Sequence, residues 1–265
     1  MLTAHDFPSA HAADHAGIDT ILVGDSLAMV ALGHASTSPL TLTEILLFCA
    51  AASRGTASAF LIGDLPMGSY ESSDVQAVDS AVRMVKEGGV ESVKLEGGRD
   101  MAGRVAAIAR AGIPVLAHVG LTPQRQSALG GFRVQGKTAA GAVDVLRDAL
   151  AVQEAGAWGV VLEAVPEEVA GLITRRLSVP TVGIGAGKEC SGQVLVQMDM
   201  AGNFPPGRYL PKFVKRYGDV WSEASKAIGE YKREVKERSY PEKEHTYEMK
   251  QEEFEKFREL AESVL

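Results

Sequence analysis

With only two cysteines, Cys49 and Cys190, in 265 residues, the chain has no material for a disulfide framework. It also lacks the Cys/His cluster that a zinc site needs. A reducing compartment, the cytoplasm or the mitochondrial matrix, is the expectation. No apolar run approaches the ~20 residues that span a bilayer, and the segment after Met1 lacks the basic-then-apolar layout of a secretion signal. Excess positive charge is missing too. Lys and Arg number 27 against 34 Asp and Glu, a formal net charge of -7, which argues against nucleic acid or an anionic membrane as partner. Aromatic residues are scarce, at 6%, while 46% of the chain is hydrophobic. A chain rich in Ala, Val, Leu and Gly fits a soluble α/β protein, and a barrel of parallel strands and helices commonly reaches ~250 residues as one domain.

Short aliphatic runs recur, each closed by a polar or glycine turn: Thr20–Gly24, Ala59–Gly63, Ser92–Leu95, Pro114–His118, Gly159–Glu163 and Thr181–Gly185. A weaker run covers Val194–Met198, and Met1–His5 reads as the end of one more strand. Between them, Ala77–Glu87, Met101–Ala111, Ala142–Ala155 and Pro166–Leu177 carry helical spacing. Alternation of strand and helix predicts a parallel sheet, and continuous apolar strands predict cover on both faces. About eight such units favour a closed (β/α)8 TIM barrel over an open doubly wound sheet. The expected domains are a barrel over residues 1–218 and a helical C-terminal extension over residues 219–265. That charged tail has apolar residues at helical intervals (Trp221, Ala224, Ile228, Tyr231, Val235), breaks at Tyr240-Pro241, and resumes as a helix over Glu248–Val264. It reads as an amphipathic pair packed on the barrel.

Polar residues able to do chemistry close strand after strand: Asp6, Asp25, Asp64, Glu96, His118 and Glu163. Any one Asp after a strand is more often a helix cap or turn residue. Six at corresponding places, with Lys94 and Glu96 two apart on one strand face, point to a shared site at the barrel mouth. Several carboxylates gathered there would repel one another and take up protons. A divalent cation relieves that, and so sparse a set of oxygen ligands suits Mg2+. Lys94, His118 and the Ser26 hydroxyl could hold an anionic substrate. The duller alternatives are a Lys94–Glu96 pair, a core histidine and a helix cap. The run Gly183-Ile184-Gly185-Ala186-Gly187 is open between a phosphate cradle and a tight turn; as a dinucleotide fingerprint it fails on spacing.

Longer motifs carry a resemblance. Leu22-Val23-Gly24-Asp25-Ser26-Leu27, Gly63-Asp64-Leu65-Pro66 with Ser69-Tyr70, Val93-Lys94-Leu95-Glu96-Gly97-Gly98 and His118-Val119-Gly120-Leu121-Thr122-Pro123-Gln124 resemble the ketopantoate hydroxymethyltransferase family. So do Gly130-Gly131-Phe132-Arg133, Leu162-Glu163-Ala164-Val165-Pro166 and the glycine run. The resemblance implies a barrel of the phosphoenolpyruvate-mutase-like kind and a homo-oligomer, usually a decamer. It implies Mg2+ at Asp25 and Asp64 with Glu96 close by, oxo-acid contacts from Ser26, Lys94 and His118, and a general base at Glu163. The implied reaction moves a one-carbon group from 5,10-methylenetetrahydrofolate to 3-methyl-2-oxobutanoate through a Mg-stabilised enolate, giving 2-dehydropantoate on the route to pantothenate and coenzyme A. The alternatives are another Mg-dependent 2-oxo acid lyase or mutase of the same superfamily, or a diverged low-activity paralogue. Against the family pattern the first strand reads as truncated. His5, Ala28, Phe48, Ser191 and Met198 also replace more usual residues, which is expected to reshape the substrate pockets.

Overall fold

The computed structural model describes residues 1–264. The chain divides into two compact units, the first Met1–Gly218 and the second from Asp219 onward. Among the described residues no helix is long and apolar enough to cross a membrane.

The first unit is built on eight strands: β1 (Leu2–Thr3), β2 (Thr20–Val23), β3 (Phe60–Asp64), β4 (Ser92–Glu96), β5 (Val115–Gly120), β6 (Gly159–Glu163), β7 (Thr181–Ile184) and β8 (Gly192–Gln193). They form one sheet in chain order, each pair parallel. A doubly wound sheet would reverse its order at a switch point; here there is none. The backbone N–H of Thr3 donates to Leu195 O at 3.2 Å, which brings the chain after β8 back to β1. The sheet is the wall of a barrel.

Alternation along each strand sorts side chains between two cores. Leu22, Ile62, Leu116, Val161, Val182 and Val194 form the inner cluster. Ile21, Val23, Leu61, Val93, Leu95, Val115, Ala117 and Val160 belong to the outer one, with the helices. A strand buried on both faces needs both sets apolar, which is why these segments read as continuous aliphatic runs. Burial of each such Leu, Ile or Val contributes roughly 1.5–3 kcal/mol.

The outer layer contains helices Phe7–His15, Leu42–Gly55, Asp74–Lys86, Ala102–Arg110, Ala139–Glu154 and Glu167–Arg176. Thr41, Ser73 and Thr138 cap the second, third and fifth of these by accepting from Glu44 N, Gln76 N and Gly141 N. The first two helices were not evident from spacing. Phe7–His15 buries only Ala10 and Ala13, and Leu42–Gly55 runs apolar on most of its surface, so neither shows a clean stripe.

The eighth strand lies two residues earlier than the run Val194–Met198 suggests. Val194 N still donates to Gly183 O, but Gln197–Ala201 is helical. Between β7 and β8 the chain makes a turn and no helix. The glycine run makes this turn: Gly185 (φ 63°) and Gly187 (φ 77°) are left-handed, and a Cβ on them would meet the Phe213 ring at 2.6 Å and Glu167 Cγ at 2.3 Å. Those approaches settle the run as a tight turn packed by protein side chains.

The second unit holds the helices Val220–Glu237 and Gln251–Glu262. Tyr231 meets Tyr240 edge-on at 5.7 Å, and Tyr240 lies 5.4 Å from the ring of His245.

Candidate active site at the barrel mouth

Inward alternation continues above the apolar floor, but the residue type changes. Two positions beyond Ile62 stands Asp64; Lys94 and Glu96 follow Ser92; His118 follows Leu116; Glu163 follows Val161. The register stacks them in tiers. Asp64 aligns with Lys94, Glu96 with His118, and Gly120 with Glu163 one tier higher. Asp25, just past β2, completes the ring, its backbone N–H donating to Asp64 Oδ2 at 3.2 Å.

All of these but Glu163 are buried. Lys94 Nζ lies 2.8 Å from Asp64 Oδ1, a buried charge-assisted contact. Lys94 also donates to His118 Nδ1 at 3.3 Å. An ammonium can only donate, so Nδ1 accepts and the neutral ring carries its proton on Nε2. That nitrogen stands 3.3 Å from Glu163 Oε2, and the Glu163 side chain is 14% exposed.

The electrostatics follow from burial. Desolvation pushes the Asp64 carboxyl up to about 7, against the pull of Lys94 and with a push from Asp25. Glu96 is raised well above its ordinary value for the same first reason. Burial by itself would lower the Lys94 pKa, but the charges of Asp64, Glu96 and Asp25 outweigh it, and the ammonium is held more firmly than usual. His118 is lowered, by burial and then by Lys94, which agrees with its neutral form.

The end of β6 is held by backbone devices. Ala164, directly after Glu163, is left-handed (φ 48°), a conformation costing about 1–2 kcal/mol for an L-residue. Its N–H donates to Ile184 O and its O accepts from Gln135 N. Gly120 lets β5 pass close by, since a Cβ there would meet Glu163 O at 2.4 Å.

Of the strand-end residues read from sequence, Asp6 does not join the cluster. It caps Phe7–His15, accepting from Ser9 N at 2.9 Å in a capping box. Ser26 is half-buried beside Asp25 and makes no capping bond. Phe48 packs against the outer core, with His5 edge-on at 6.5 Å. Ser191 exchanges hydrogen bonds with Thr181 at the start of β7, on the floor side. Neither sits among the mouth residues. Two residues that no charge or strand-end pattern marked do: Gln124 and Tyr70, both buried and bonded to the cluster. Their clue was membership of the motifs that carry the family resemblance, just past the ends of β5 and β3.

Asp25, Asp64 and Glu96 offer hard oxygens suited to a divalent cation that keeps several waters. The raised proton affinities of Asp64 and Glu96, buried carboxyls short of positive charge, fit such an ion. Among the described residues no three His, Cys, Asp or Glu side chains form a ready cage, and Asp64 is engaged by Lys94 and by the Asp25 N–H. Two surface clefts lie apart from these residues. One of about 320 Å³ is lined by Glu167, Glu168, Gly171, Arg175 and Glu189, and one of about 350 Å³ by Met67, Gly68, Glu71, Ser72 and Gln76.

The family model described as ketopantoate hydroxymethyltransferase matches residues 1–243. The 3-methyl-2-oxobutanoate hydroxymethyltransferase of Emericella nidulans is 61% identical over 264 residues, covering 100% of this chain and 76% of that protein. Its namesake from Oleidesulfovibrio alaskensis is 51% identical over 253 residues, covering 96% and 87%. Among solved structures, 2,3-dimethylmalate lyase, described as a PEP mutase/isocitrate lyase superfamily member, superposes with a TM-score of 0.58 at 18% identity over 99% of this chain and 90% of that one. At that identity the likeness establishes the barrel fold alone.

Proposed function

The chain belongs to the ketopantoate hydroxymethyltransferase family, and from that premise we propose that it transfers a hydroxymethyl group from 5,10-methylenetetrahydrofolate to 3-methyl-2-oxobutanoate, giving 2-dehydropantoate. The observation that carries this reading is the buried Asp25–Asp64–Lys94–Glu96–His118 cluster with the half-buried Glu163 3.3 Å from His118 at its rim. A buried tier of that kind is costly to fill with charge unless the charge is used.

Under this reading Asp25 and Asp64 hold Mg2+, with Glu96 beside them. The ion, when bound, supplies Lewis-acid polarisation of the substrate's oxo group and offsets the carboxylates. Lys94 remains protonated next to that oxygen, where negative charge grows as the C3 proton leaves, so it favours the transition state over the ground state. Ser26 and Lys94 bind the oxo acid, and His118 does so as a neutral ring. Glu163, at the wetter upper tier, takes the C3 proton. The electron pair left by the C3–H bond then forms the C–C bond to the folate's one-carbon unit. Both C–N bonds of that unit break toward the two folate nitrogens, water supplies the hydroxyl oxygen, and the C3 proton and the remaining water proton are balanced by the protons those nitrogens take up.

The test is exchange in deuterated water. With Mg2+ and 3-methyl-2-oxobutanoate alone, deuterium should enter at C3, and adding methylenetetrahydrofolate should yield product. Glu163→Gln should keep oxo-acid binding while exchange falls at least about 100-fold. Unchanged exchange removes Glu163 from the base role, and exchange without folate-dependent product defeats the transferase reading.

A further inference from the structure

One neutral side chain touches the cluster from outside the set of ionisable groups. Gln124 sits in the 3-10 turn Pro123–Arg125 that follows β5 and is buried. Its Nε2 donates to Asp25 Oδ2 at 3.0 Å and to Leu65 O at 3.0 Å. Its Oε1 accepts from the Tyr70 hydroxyl at 2.6 Å, and its backbone N–H donates to Glu96 Oε2 at 3.0 Å. Tyr70, fully buried, is also near the Glu96 backbone, whose N–H points to the hydroxyl oxygen at 3.3 Å.

The amide has one workable orientation. Asp25 Oδ2 and Leu65 O are both acceptors, so the nitrogen must face them, and the oxygen is left for the phenol. Both N–H groups and the oxygen are then used. This single residue links the chain beyond β2, β3 and β5 to the end of β4, and it takes up one oxygen of Asp25 and one of Glu96.

We infer that Gln124 is a positioning residue for the metal-binding carboxylates, and that Tyr70 fixes its amide. The inference rests on the functional reading above. Uncharged donors suit this role because they direct two carboxylates without adding charge to a cluster already short of cations. A lysine would fill the cation's electrostatic role, and a glutamate would add a further buried acid. Groups that orient metal ligands characteristically change metal affinity about 10- to 100-fold when removed.

Mn2+ serves as the probe, titrated into the metal-free full-length protein and followed by its electron spin resonance signal, without substrate. Gln124→Met keeps the volume and removes every side-chain hydrogen bond. It should weaken Mn2+ binding about 10- to 100-fold. Tyr70→Phe leaves the amide in place but unanchored and should weaken binding about 3- to 10-fold, the worth of one neutral hydrogen bond. Thermal unfolding of the same samples separates a purely structural role, which would lower the melting temperature and leave the Mn2+ Kd of the folded fraction unchanged. An unchanged Kd in either folded variant overturns the inference, and insolubility of both assigns the amide to folding and overturns it too. Failure of the parent protein to bind Mn2+ is a different result. It removes the metal reading itself.

Discussion

The floor and the mouth of this barrel are made by the same strands, with the same inward alternation, yet they solve opposite problems. At the floor Leu22, Ile62, Leu116 and Val161 meet only one another and stabilise the fold by burial. One or two steps higher, Asp64, Lys94, Glu96 and His118 occupy equally buried inward positions at an electrostatic cost. The difference teaches where stability was given up for chemistry. An inward strand position dictates burial, not residue type, and under the proposed function the charged tier is kept for its chemistry.

The comparison breaks if a floor residue proves to govern catalysis. Leu116→Ala should destabilise the protein by about 2–5 kcal/mol in denaturant unfolding, while the exchange rate per folded molecule stays near the parent's. The mirror case is Asp64→Asn. It should lower exchange by about 100-fold or more, while metal-free stability at pH 8 should fall by less than in Leu116→Ala, since removal of a desolvated carboxylate offsets the partner that Lys94 loses. A matching loss of stability would place Asp64 with the floor.

A smaller effect sharpens the same contrast. The Asp64 carboxyl, near 7 in the fold and 3.8 ordinarily, takes up a proton on folding between those values. Its contribution to metal-free stability is therefore complete below about 3.8 and lost as pH rises through about 7. A bound cation needs the ionised form. Mn2+ affinity should fall about tenfold per pH unit below 7, and a flat affinity between about pH 5 and 7 would deny Asp64 a place in the ion's shell.

Much of this was legible in the chain. The aliphatic runs closed by Asp25, Asp64, Glu96, His118 and Glu163 announced both the parallel barrel and the mouth, because a two-residue period carries an inward residue at a strand's end to the same side as its apolar predecessors. Length and alternation separated barrel from open sheet. Asp6 was misread for a physical reason. It sits at the right place after its strand, but the Phe7–His15 helix begins at once and takes the carboxylate as a cap.

Other features were decided only by tertiary packing. The glycine run is compatible with a phosphate cradle until Phe213 and Glu167 fill the space beside it. Gln124 and Tyr70 carry no charge and lie outside any strand pattern, so only the family motifs that hold them set them apart; their roles come from contacts 26 to 99 residues away in the chain. Proton affinities are likewise properties of the assembled cluster, since desolvation and neighbouring charge exist only once distant strands are side by side. Periodicity along the chain determined which residues face inward. Closure of the barrel alone decided what each of them meets there.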